Sequence, residues 1–116
     1  MLGALLAALL LNQPAKADVP VVTPEQAAVH DGRDVAVQGR VTQVNESLDG
    51  KTLFLNFGGR YPFHVFDAVI FERSLKSFPD ARSWEGKVIK VRGKVQVYRG
   101  KPEIVLERVE RVTVLR

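Results

Sequence analysis

The 116 residues carry 17 Lys and Arg against 13 Asp and Glu, a formal net charge of +4, and 46% of them are hydrophobic, which suits one domain with its own core. The lack of cysteine excludes disulfide frameworks, thiol catalysis, cysteine-ligated zinc and a lipoprotein attachment site. The mild basic excess favours anionic partners such as nucleic acid, anionic polymers or membrane surfaces, and says nothing about fold.

The chain opens on Leu2 to Leu11, an unbroken run of apolar and small residues, followed by Asn12-Gln13-Pro14 and Ala15-Lys16-Ala17. A short apolar run ending in a small-x-small site predicts a signal peptide over 1–17, cleaved after Ala17, and an exported protein, periplasmic or extracellular. The run is too short for a membrane span of about 20 apolar residues. No Lys or Arg precedes Leu2, so a truncated start belongs to the same expectation, with an uncleaved amphiphilic tail as its alternative.

Residues 18–31 read as a linker and a short helix. Asp18 to Val22 is extended around Pro20, and Thr23-Pro24-Glu25-Gln26 starts the helix: Thr23 caps, Pro24 suits the first helical position and Gln26 completes a capping box. Asp31-Gly32 stops it near His30. From Arg33 the period becomes two, with Val35, Val37, Gly39 and Val41 on one face and Ala36, Gln38, Arg40 and Thr42 on the other. Val44 falls out of phase, which predicts a bulge near Thr42-Gln43. Asp49-Gly50 marks a turn. A second strand, Lys51 to Phe57, turns Leu53, Leu55 and Phe57 inward and Thr52, Phe54 and Asn56 outward. After a Gly58–Pro62 loop, a third strand over Phe63 to Phe71 is apolar on both faces around Asp67. Leu75, Phe78 and Ala81 then take helical spacing, interrupted at Pro79.

Gly86 to Val97 predicts a long strand with Ile89, Val91, Val95 and Val97 on the core face and Lys90, Arg92, Lys94 and Gln96 on the other. A turn at Arg99-Gly100 leads to a last strand or pair over Pro102 to Leu115. Three strands, a helical connection and two strands predict an all-β domain over 32–116, a five-stranded Greek-key OB-fold barrel. A β-sandwich would want more strands than this length holds.

Leu53 to Gly58, Phe66 to Phe71, Gly86 to Gly93 and Tyr98 to Ile104 together resemble bacterial OB-fold nucleic-acid-binding modules, similar to those appended to secreted thermonuclease-like proteins, with relatives among anticodon-binding domains. The resemblance spans Gly32 to Leu115 and rests mostly on bend glycines and core residues. It implies a binder of single-stranded DNA or RNA with little sequence preference. The nuclease domain itself is missing, so nothing catalytic transfers.

OB-folds bind ligands on the face of strands two and three, rimmed by the loops between strands one and two and between four and five. Nucleic acid there needs cations and exposed aromatic rings. The candidate residues are Phe54, Tyr61 and Tyr98 for stacking, and Lys51, Arg60, Lys90, Arg92, Lys94, Arg99 and Lys101 for phosphate. The competing expectations are that Phe54 packs under the helical connection and that the Lys90–Lys94 row is a solvated strand face, neutralised by Glu103, Glu107 and Glu110. Trp84 and Phe78 read as core. Export favours a rival function, an envelope scaffold or stress-related OB-fold contacting a protein or small ligand.

No catalysis, cofactor or metal is expected. His30 and His64 are the only histidines and sit in different elements, and His64 and Asp67, three apart in a regular strand, would point to opposite faces. There is no Walker loop, nucleophile elbow or HExxH.

Overall fold

A computed structural model describes residues 19–116; the signal-peptide expectation lies outside these residues. Eight strands form one sheet system: β1 (Val21–Val22), β2 (Asp34–Glu46), β3 (Leu53–Phe57), β4 (Phe66–Ile70), β5 (Val88–Lys94), β6 (Gln96–Tyr98), β7 (Lys101–Val105) and β8 (Val112–Val114). Short helical pieces fill the connections: 3-10 turns at Pro24–His30, Ala81–Trp84 and Val109–Arg111, and α1 at Glu72–Leu75. The strand order is β6-β7-β4-β3-β2-β5-β8, with β1 added parallel to β2.

The sheet is mostly β and OB-fold-like, but it has eight strands and does not close into the five-stranded barrel expected. The difference has local causes. Val21–Val22, read as linker, pairs with Ala36 and Val37 as β1. The long strand ending at Val97 breaks at Val95, whose N–H donates to the Arg33 carbonyl (3.0 Å) and whose carbonyl accepts from Gly32 N (2.8 Å). β5 therefore stays with β2 and β8, while β6 turns away to pair with β7. Val97, expected inward, is exposed as a result, whereas Val95 is buried. The C-terminal stretch divides at Val109–Arg111 into β7 and β8.

β2 pairs with β5 over Asp34–Arg40 and with β3 over Val41–Glu46, so it serves both parts of the sheet. Its register shifts between Val41 and Gln43, where the phase of Val44 places a bulge. Gly39 sits just before this bend, and a Cβ there would meet Pro24 Cγ at 2.7 Å. Only glycine lets the N-terminal 3-10 turn lie this close to the strand. That turn is held by the capping box: Gln26 N donates to Thr23 Oγ1 (3.3 Å) and Thr23 N donates to Gln26 Oε1 (3.0 Å).

The inward residues of β2 to β5 and β7 meet in one core with Phe78, Ala81 and Trp84 from the helical connection. Phe57 and Phe66 meet edge to face with centroids 5.4 Å apart, and Phe78 and Trp84 do so at 6.4 Å. Burial of each such side chain contributes roughly 1.5–3 kcal/mol. Because the core occupies one face of β3 and β4, every second residue of these strands is turned outward onto a surface the connection does not cover.

Candidate functional site

That outer surface is a groove of about 550 Å³ running across β3, β4 and β7. Its floor carries Phe54 and Asn56 of β3, Asp67 of β4 and Glu103 of β7. The β2–β3 turn with Leu48, the β6–β7 hairpin and the loop bearing Tyr61 and His64 form its walls.

Each wall has a local cause. In the β2–β3 turn, Asp49 accepts hydrogen bonds from Ser47 Oγ (2.7 Å) and Lys51 N (3.0 Å), which hold its carboxyl below the ordinary 3.8. The β6–β7 hairpin turns on Arg99 (φ 51°) and Gly100 (φ 81°). Two successive left-handed residues suit the twist of paired strands. This sets Tyr98 opposite Lys101, with the Arg99 guanidinium 5.3 Å from the Tyr98 ring centroid. In the third wall, Gly59 has φ 142°, and a Cβ there would approach the Phe63 carbonyl at 2.9 Å. The turn so formed lets Tyr61 N donate to Gln43 Oε1 (2.9 Å) and stacks the Tyr61 ring on His64, centroids 5.8 Å apart.

A chain of polar side chains crosses the floor. Asn45 Nδ2 donates to Asn56 Oδ1 (2.5 Å), and Asn56 Nδ2 donates to Asp67 Oδ1 (2.5 Å). His64 Nε2 lies 2.8 Å from Asp67 Oδ2 and, facing an acceptor, carries the proton there. His64 and Asn56 are 3% and 1% exposed, so these bonds satisfy groups sealed from water; His64 Nδ1 is buried with no partner among the described residues. Lys101 Nζ donates to the His64 carbonyl (2.6 Å). The expectation that His64 and Asp67 point apart is therefore wrong. β4 begins only at Phe66, and His64 belongs to the loop, which folds its ring back onto Asp67.

Glu103 stands beside Asp67 across the parallel β4–β7 pair. Burial, and then the neighbouring Asp67 carboxylate, push its carboxyl above the ordinary 4.5. An acid whose pKa is raised by folding destabilises the fold while ionised, and the loss is recovered as pH falls through the raised value. Glu103→Gln is expected to raise the thermal midpoint slightly near pH 7 and to lose that advantage near pH 4, on either side of the carboxylate range. Circular-dichroism melts at the two pH values check this; a gain that grows on acidification would overturn it.

Phe54, Tyr61, Tyr98, Arg99 and Lys101 thus come together in one groove. Phe54 is half-buried on the outer face and does not pack beneath the connection. Lys51 and Arg60 are exposed in flanking loops and do not line it. Lys90, Arg92 and Lys94 lie elsewhere, on β5 opposite Gln38, Ala36 and Asp34. Arg92 pairs with Asp34 (3.4 Å), and Arg92 and Lys94 line a separate hollow with Arg108 and Arg111. The expected rim of strand cations does not line this groove, because β5 pairs with β2 and β8 while the groove floor is built on β3, β4 and β7. Sequence reasoning missed Asn45, Asn56, His64, Asp67 and Glu103 as site residues. The available signal was Asp67, a lone carboxylate in an otherwise apolar strand.

Among the described residues no group of three or more His, Cys, Asp or Glu is placed to hold a metal ion. No family model matches the chain, and no curated protein matches it in sequence. In structure it is similar to asparaginyl-tRNA synthetase from Pyrococcus horikoshii, with TM-score 0.59 and 24% identity over 82% of this chain and 23% of that one. It is also similar to the S. pombe Stn1-ten1 complex (TM-score 0.54, 16% identity, 72% of this chain and 58% of that one). A third likeness is to OBody AM2EP06 bound to hen egg-white lysozyme (0.58, 13%, 90% and 96%). The chain spans under a quarter of the synthetase. At these identities the likeness shows the fold: the chain is an OB-fold-like β-domain.

Proposed function

We propose that this protein is a binding module for single-stranded nucleic acid, without catalysis of its own, that takes bases into the groove and leaves the sugar-phosphate backbone at the rim. The observation carrying this reading is the gathering of Phe54, Tyr61 and Tyr98 with Arg99 and Lys101 on the ligand-binding face of an OB-fold-like sheet. The likeness to a tRNA synthetase supports it. The inward orientation of bases follows from charge: Asp67 and Glu103 on the floor repel phosphate, while the cations stand at the hairpin wall. The buried His64–Asp67 pair orients the floor, and His64 Nδ1 has no hydrogen-bond partner among the described residues. Export with cleavage after Ala17 completes the reading, and N-terminal sequencing of the secreted form tests it.

Titration of a fluorescent oligonucleotide at several salt concentrations tests the binding. With Arg99 and Lys101 as the groove cations, log K is expected to fall with log salt at a slope of about −1.4, roughly −0.7 per neutralised phosphate on a single strand. A much steeper slope would show that the β5 cations also hold the strand, and no binding at low salt would end the proposal. A second reading, recognition of a protein by the same groove, is favoured by the likeness to an OBody bound to lysozyme over nearly its whole length. In that case a protein partner would protect the groove and oligonucleotides would not compete.

A further inference from the structure

Asp67 and Glu103 sit side by side but differ in occupancy. Both oxygens of Asp67 are engaged, one by Asn56 Nδ2 and the other by His64 Nε2. Glu103 is partly buried, lines the same groove, and receives no hydrogen bond or ion pair among the described residues; only burial and the Asp67 charge act on it. A partly desolvated carboxylate without a donor lacks the partner that such groups ordinarily have. Phe54 and Tyr61 supply flat apolar surface in the same groove.

We propose that the free Glu103 carboxylate reads guanine, giving the groove a preference for guanine over the other bases. This rests on the nucleic-acid reading above and adds specificity to it. An ionised carboxylate offers two acceptors side by side and no donor. Guanine alone presents two adjacent donors, N1–H and the N2 amino group, on its Watson–Crick edge. Adenine and cytosine set a ring-nitrogen acceptor beside their amino group, and thymine flanks its single N–H with two carbonyls, so each of these turns an acceptor toward the carboxylate. The fixed Asp67 keeps a negative potential beside Glu103, which further rejects bases presenting acceptors. Stacking accounts for retention of any base, and Glu103 for the choice among them.

The test uses thymidine oligonucleotides of about ten bases, within the site of one OB fold, with one central position varied, titrated against the wild type and Glu103→Gln. Central guanine is expected to bind about 5- to 150-fold more tightly than central thymine, the discrimination of one good bidentate pair. Hypoxanthine, which lacks the N2 amino group, should lose most of that gain, and 7-deazaguanine, which keeps both donors, should retain it. Glu103→Gln should erase the preference, so that central guanine and central thymine bind alike; its melt beside the wild type confirms that it is folded. Equal affinity for guanine and thymine, or a preference surviving in Glu103→Gln, overturns the guanine assignment and leaves nucleic-acid binding standing. Binding to none of the oligonucleotides overturns both.

Discussion

Asp67→Ala is expected to lower the thermal midpoint by about 10 °C or more. The substitution removes the acceptor of two buried donors, Asn56 Nδ2 and His64 Nε2, and leaves His64 with neither ring nitrogen bonded. Each buried group left without a partner costs about 1–3 kcal/mol. For a domain of this size each kcal/mol moves the midpoint by roughly 4–8 °C. One effect opposes the loss, since Glu103 is relieved of a neighbouring negative charge. That gain is weakened by solvent around the partly exposed Glu103 and does not offset two orphaned donors. Asp67→Asn, which retains one acceptor, should fall between the alanine variant and the wild type. Melts monitored by circular dichroism distinguish these outcomes; an alanine variant within about 2 °C of wild type would mean that water replaces the carboxylate and that the floor is not preorganised.

Removing both Phe54 and Tyr61 side chains is expected to weaken single-stranded oligonucleotide binding at least ~30-fold. Each lost stack accounts for about 1–3 kcal/mol, and the two rings lie in one groove. Tyr61 is 69% exposed, so Tyr61→Ala should scarcely alter stability, and the single variants separate lost stacking from lost packing at half-buried Phe54. The informative control is Lys90→Ala with Lys94→Ala. These residues lie on β5, away from the groove, and their removal should change affinity far less than the aromatic pair. A larger loss from the lysines than from the rings would move the binding surface to the other side of the sheet.

The features legible in the sequence were those set by neighbours along the chain. Period two turned Phe54 outward between Leu53 and Leu55, and the phase of Val44 placed the bulge. Thr23 and Gln26 announced their capping box, and Arg99-Gly100 its turn. The failures came where the alternation continued through a break or where contacts span strands. Val95 and Val97 keep the apolar rhythm of β5, yet the backbone of Val95 is bonded to Gly32 and Arg33, and everything beyond it changes partner. The Lys90–Lys94 row therefore lies outside the groove. His64 was read in a strand, but the turn after Gly59 takes it out of one. Asn45, Asn56 and Asp67 are each 11 residues apart and become neighbours only through pairing of β2, β3 and β4.

The thirteen residues of β2 carry one further consequence. Because the strand hydrogen-bonds to β1, β3 and β5, opening either part of the sheet strips bonds from an element the other part also needs. Thr42 tightens this link, since its hydroxyl lies at the register shift and donates toward the carbonyls of Asn56 (2.9 Å) and Gly59 (2.5 Å), one in the groove floor and one in its wall. The chain should accordingly unfold as one cooperative unit, with the β2 amides among the slowest to exchange with solvent deuterium. A ligand that tightens the groove should slow exchange at Val35 and Val37, on the far stretch of the same strand.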